Sequence, residues 1–230
     1  MAEQTVVSAR RFIPLPADVD AAQVAAMMNP AMSSWMALKD RVGDITGKTV
    51  LVLGATGAAG QLAVQISKYL GAKTVIAAGR DEAKLAMVRG LGADQTIALT
   101  GTDEDVKAAF AAVADVDVVL DYLWGSVAEK ALQAILPARH DHSQLLSWVE
   151  IGSMSGGDIT LPSAYLRSVN LRLLGSGQGS INGKVFATEL PKLAQLISAG
   201  TFQLAVQTLP FDELSSENWQ DASQRYVYVM

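Results

Sequence analysis

The stretch Thr49-Val-Leu-Val-Leu-Gly-Ala-Thr-Gly-Ala-Ala-Gly60 decides how this chain folds. A short apolar run rich in β-branched residues ends at Gly54, and glycine recurs at positions 57 and 60. Leu62, Ala63, Ile66, Tyr69 and Leu70 then fall on one face at helical spacing. Strand, glycine turn and helix in succession predict a phosphate site, because a helix N-terminus offers unpaired N–H groups and the positive end of its dipole. Gly57 lets the backbone come close to a pyrophosphate, and Gly60 lets the helix pack against the strand. Ala55, Thr56, Gly57, Ala58 and Ala59 are therefore the candidate binding residues of the turn. The plain alternative is a tight turn in some other α/β protein.

The flanking chain extends the pattern. Lys73–Ala78 reads as a second strand, and Asp81 as the cap of a helix that ends at Gly90. Gln95–Ala98 is a third strand and Asp103–Ala114 a helix. Val116–Asp121 is a nearly continuous apolar run, as expected of a strand covered on both faces. Ser126 is read as capping a helix through Leu136, Leu145–Ile151 and Leu171–Ser176 as strands, and Lys184–Ser198 as the last long helix. Strands alternating with helices predict an α/β fold, a Rossmann-type doubly wound parallel sheet that binds its ligand at the carboxyl ends of the strands.

Composition narrows the function classes. The chain has 230 residues, 50% hydrophobic and only 18% charged, below the usual quarter, which suggests that a partner or a further domain covers some of its surface. A net charge of -5 gives no electrostatic reason to expect nucleic acid or an anionic membrane. No apolar run is long enough to span a bilayer and no signal peptide is read, so the expectation is a cytoplasmic protein, opening with a short strand directly after Met-Ala-Glu-Gln. The sequence has no cysteine, which excludes disulfides, a catalytic thiol and thiolate-bound zinc.

With these residues in view, the chain resembles the medium-chain dehydrogenase/reductase superfamily, and within it the zinc-independent, quinone oxidoreductase-like branch. The resemblance rests on Gly54-Ala-Thr-Gly-Ala-Ala-Gly60, on Leu91-Gly-Ala-Asp94, and on Val7–Pro16 followed by a helix to Met28. It implies residues 1–45 as a remnant of a β-rich catalytic domain with connecting helices, residues 46–200 as the NADP-binding domain, and residues 201–230 as a return segment to the catalytic domain. Family members carry more of that domain ahead of the point where this sequence begins. The resemblance further implies cofactor contacts from Asp121, Tyr122 and Leu123, from Ile151, Gly152 and Ser153, and from Gly175 and Ser176. Asn29 and Ser33 fall in the segment near the nicotinamide, where they would hydrogen-bond the cofactor or a substrate carbonyl; capping of a helix around Pro30 is the competing reading.

The end of the second strand bears on the choice of dinucleotide. An acidic residue there would hold the ribose hydroxyls, but Gly79 stands in that place and Arg80 follows. A guanidinium suits a 2′-phosphate, and Lys84 lies one helical turn further on, so NADP(H) is the expected cofactor; both are otherwise ordinary solvated cations at a helix start. His140-Asp-His142 is read as a solvated turn rather than a metal site. Tyr69 and Lys73 match the Tyr-x-x-x-Lys spacing of short-chain dehydrogenases, but Gly71 already ends that helix, so the pair is read as packing and strand-edge residues.

The expected activity is hydride transfer from NADPH to a quinone or activated enone. The rival expectations are a non-catalytic NADP(H)-binding or redox-sensing module and an atypical short-chain reductase. The expected partners are a small-molecule substrate and a second copy of the chain, paired through Leu171–Leu174 as in the resembled family.

Overall fold

The computed structural model describes residues 6–8, 12, 14–15, 17, 19–220 and 224–230. Its main sheet has six strands: β1 Thr49–Leu53, β2 Thr74–Gly79, β3 Gln95–Ala98, β4 Val118–Asp121, β5 Leu146–Glu150 and β6 Leu171–Gly175. All pairings are parallel and the order is β3-β2-β1-β4-β5-β6. The winding direction reverses between β1 and β4, which opens a crevice at their carboxyl ends.

Both faces of the sheet are covered, which explains why β1 is an unbroken apolar run: Val50, Leu51, Val52 and Leu53 are all buried. On one face Val50, Val52, Leu120 and Val149 pack against α1 (Ala21–Met36), α2 (Ala58–Tyr69), α3 (Glu82–Gly90) and α7 (Gly183–Ser198). On the other, Leu51, Leu53, Val119 and Trp148 meet Phe110 of α4 (Asp103–Ala111) and Leu132 and Ile135 of α5 (Gly125–Ala138). A short helix α6 (Tyr165–Ser168) precedes β6. After α7 the chain forms β7 (Gln207–Pro210), α8 (Ser216–Gln220) and β8 (Tyr226–Val229), with β7 and β8 paired parallel in a separate sheet.

Several local expectations are corrected. The helix expected to end at Met28 runs on to Met36 and then through a π-helical turn at Ala37–Val42, with Pro30 inside it. Asn29 and Ser33 are thus mid-helix residues and cap nothing; Asp20 caps α1 by accepting from Ala22 and Gln23. Helix α5 is not capped by Ser126. It starts at Gly125 after Trp124, whose φ of 51° is the one positive value among described non-glycine residues. Residues 6–8 are not in a strand, and residues 1–5 lie outside the described residues.

Candidate active site: a dinucleotide cleft

The crevice is built outward from the glycine turn. Gly54 has φ +87°, a conformation that L side chains rarely adopt, and Gly57 is the N-cap of α2. No side chain caps α2 and no acidic residue lies in its first turn, so its N–H groups and positive dipole end face the crevice unopposed. A Cβ on Gly60 would stand 2.2 Å from the Gly54 carbonyl oxygen, so this glycine is required by the packing of helix on turn. A Cβ on Gly57 would meet only the Gly54 oxygen, at 3.8 Å, and otherwise enter open space. The turn is thus a cradle that a side chain would fill, and it fits a dinucleotide phosphate.

Two cavities flank it. The first, about 440 Å³, is lined by Asn29, Met32, Ser33 and Met36 of α1, by Ala58 and Ala59, by Tyr122 and Ile151, and by Ser176 with Phe186 behind it. The second, about 810 Å³, runs from Thr56, Gly57 and Ala58 past Gln61 and Lys84 to Trp219 and Tyr226. Of the residues singled out in the sequence, Thr56, Gly57, Ala58, Ala59, Lys84, Tyr122, Ile151, Ser176, Asn29 and Ser33 converge on this double cleft. Ala55 is buried beneath the turn, and Leu123 packs against Gly54. Gly152 lies against the Tyr122 carbonyl.

Three residues are placed differently from expectation. Asp121 is wholly buried and has no surface for a ligand. One carboxylate oxygen accepts the N–H groups of Leu123 (2.8 Å) and Trp124 (2.9 Å), and the other accepts Trp148 Nε1–H (2.9 Å). Burial raises its carboxyl above the ordinary aspartate value, against the pull of those hydrogen bonds. Its work is to hold the loop that turns Tyr122 toward the cleft. Ser153 and Gly175 line a separate hollow of about 420 Å³ beside Glu150 and Trp124.

Gly79 and the cations after it also take shape. A Cβ on Gly79 would stand 2.5 Å from Thr56 Cγ2, so packing under the turn is one reason for glycine there. Arg80 is exposed and Lys84 half-buried, and neither enters an ion pair with another described residue.

Sequence reasoning missed Arg225. This residue borders both cavities, and its Nε–H donates to the Ala26 carbonyl at 3.2 Å. That carbonyl is vacant because Pro30, four residues on, has no N–H to give it. A proline inside α1 therefore seats a guanidinium from the far end of the chain between the two halves of the cleft.

The residues of this chain do not fit zinc. There is no cysteine, and among described residues no three acidic or histidine side chains converge on one point. His140 and His142 sit before β5, at the opposite end of the strands from the cleft, where His140 Nδ1 pairs with Asp115. Tyr69 packs against Trp35 with tilted rings at 6.2 Å and edge-on against Phe202 at 5.6 Å, at the far end of α2 from the glycine turn. No described helix is long and apolar enough to cross a membrane.

Comparison with known proteins agrees with this geometry. Residues 58–199 match the family model described as zinc-binding dehydrogenase. The chain is 35% identical over 214 residues to a probable NADPH-dependent quinone reductase of Emericella nidulans, covering 88% of this chain and 59% of that protein. It is 31% identical over 136 residues to a chloroplastic NADPH-dependent alkenal/one oxidoreductase of Arabidopsis thaliana, covering 59% and 33%. A crystal structure of an NAD-dependent alcohol dehydrogenase superposes with a TM-score of 0.77 at 23% identity, covering 97% of this chain and 63% of that one. The chain spans about three fifths of the length of the Emericella relative and of the superposed dehydrogenase. With the nucleotide-domain match covering most of the sequence and the same doubly wound sheet around the cleft, the chain belongs to the zinc-binding dehydrogenases of the medium-chain dehydrogenase/reductase superfamily.

Proposed function

We propose that this chain binds NADPH and belongs to a zinc-independent reductase of quinones or activated enones. The open space above Gly57, at the uncapped N-terminus of α2 and between two cavities, is the observation that carries the reading. The diphosphate lies in that space, with Arg225 bordering the cavities on both sides of it. The adenosine half extends toward Arg80 and Lys84, two cations without an acidic partner among the described residues, which suit a 2′-phosphate.

The nicotinamide occupies the cavity of Asn29, Ser33, Tyr122, Ile151 and Ser176. When bound, the cofactor supplies a hydride, and the chain's own residues supply orientation and a largely apolar wall of Met32, Met36, Ile181 and Phe186. The two relatives named above, one a probable quinone reductase and one an alkenal/one oxidoreductase, support that substrate class. Their NADPH dependence agrees with the placing of Arg80 and Lys84.

Fluorescence titration with both dinucleotides tests the cofactor assignment. NADPH is expected to bind at least about tenfold tighter than NADH, since a paired phosphate adds roughly 1.5–3 kcal/mol. Arg80→Ala should erase most of the difference; equal affinities in the parent chain would sink the assignment.

A further inference from the structure

The sheet carries a second concave site on its other face. A hollow of about 420 Å³ is lined by Trp124, Glu150, Ser153, Gly157 and the Leu173–Gly175 stretch of β6. Trp124 and Leu173 pack on the apolar cluster beneath α4 and α5. The first cavity of the cleft takes its walls from α1 and α7 instead.

Glu150 ends β5, half-buried, on the same face as Trp148 two residues before it. Its carboxylate has no hydrogen-bond or ion-pair partner among the described residues. The charge that acts on it has its own sign: Asp121, its register partner on β4. Burial and that neighbour both push the Glu150 carboxyl above the ordinary glutamate value, the mark of a site short of positive charge.

Trp124 stands at the same hollow with a φ of 51°, its N–H bonded to Asp121 at 2.9 Å. A bulky residue in that region is strained, and such strain persists where the placing of the side chain matters. An indole, two leucines and one unpaired carboxylate do not make a metal site, since calcium or magnesium needs about six oxygen ligands. They suit a ligand with a positive head and an apolar body: the carboxylate pairs with the charge, and the ring offers its negative face. The volume falls in the range of small-molecule pockets, roughly 300–1,000 Å³.

We infer that this hollow binds a small organic cation, an alkylammonium or alkylguanidinium, with Glu150 as its counter-ion and the Trp124 ring as its wall. The site lies apart from the dinucleotide cleft and does not rest on the function proposed above.

The test is calorimetric titration of the full chain, without dinucleotide and at fixed ionic strength. The probes are n-butylguanidinium chloride, n-butylammonium chloride and neutral n-butanol. The two cations should bind one to one with about millimolar affinity, and butanol about tenfold more weakly or less, since a charge-assisted hydrogen bond is worth at least that ratio. Glu150→Gln keeps the shape and removes the charge. It should weaken both cations about tenfold while leaving butanol unchanged. Trp124→Gly suits the positive φ and removes the ring; it should stay folded by thermal melt and weaken the cations about threefold. No cation binding by the parent at about 10 mM, or butanol binding as well as the cations, overturns the inference. Unchanged cation affinity in Glu150→Gln overturns it too; if that variant does not fold, unchanged affinity in Trp124→Gly decides the same way. Displacement of butylguanidinium by equimolar magnesium chloride would make this a metal site and reject an organic ligand. Cation affinity that falls as the protein concentration rises would mean that a second copy fills the hollow, which also rejects it.

Discussion

Gly57 and Gly60 lack a side chain for different reasons. Gly60 is required by the protein, since its Cβ would collide with the backbone of the turn; Gly57 is required only by what occupies the cleft. Gly57→Val should therefore melt within a few degrees of the parent yet bind no dinucleotide by calorimetry, because its branched side chain projects into the diphosphate path. Normal binding by that variant would place the phosphate site elsewhere. Asp121 supplies a second residue-scale expectation. Its two oxygens accept three hydrogen bonds, two from backbone and one from Trp148. In Asp121→Asn an amide N–H must face one of those donors. The variant should lose about 1–3 kcal/mol of stability in denaturant unfolding, the usual effect of one buried unsatisfied polar pair. A variant as stable as the parent would show that the carboxylate does not hold the loop.

At the scale of elements, what was legible in the sequence follows from how local its cause is. The strands and α2 were readable because burial on two faces gives an apolar run and burial on one face gives a helical period, both carried by neighbouring residues. The start of α5 was not readable: hydroxyl-capping preference points to Ser126, but the chain turns at Trp124, held in a positive φ by the Asp121 carboxylate and by the contact of Gly125 with Ser155. Asp121 was expected in the cleft because the resemblance places this strand end along the cofactor. Nothing in the linear pattern shows that its side chain turns inward to Trp148. Arg225 was invisible for a further reason, since the vacancy it fills is created by Pro30, almost the whole chain away. That link is testable. Arg225→Ala removes the cation beside a diphosphate common to both dinucleotides, so NADPH and NADH should each weaken by about tenfold or more, with their ratio unchanged. Arg225→Lys should not restore binding, because an ammonium cannot bond Ala26 and face the cleft in the same fork. If Arg225→Ala changes only NADPH affinity, the residue belongs to the 2′-phosphate instead.

At the scale of the whole molecule, the open question is what meets the edge of the main sheet. Strand β6 is an edge and is the least buried of the strands on the β4 side. Its ladder to β5 has a definite parity: Ser176 N–H donates to Glu150 and the Asn170 carbonyl accepts from Leu146 N–H, so even-numbered positions bond inward. The backbone groups of Leu171, Leu173 and Gly175 therefore point outward. The Gly175 carbonyl is already taken by Arg41 Nε–H, which leaves Leu173 central in the exposed stretch. A free edge with apolar side chains invites an identical strand, and a twofold axis through it would join two sheets into one. We expect a homodimer formed this way. The same parity makes the test clean: Leu173→Pro removes an outward N–H while leaving the ladder to β5 intact, since a proline at an edge position need not break the sheet behind it. The parent chain should sediment as a dimer at micromolar concentration, and Leu173→Pro as a folded monomer that still binds dinucleotide. A monomeric parent refutes the pairing, and a dimeric Leu173→Pro moves the interface away from β6.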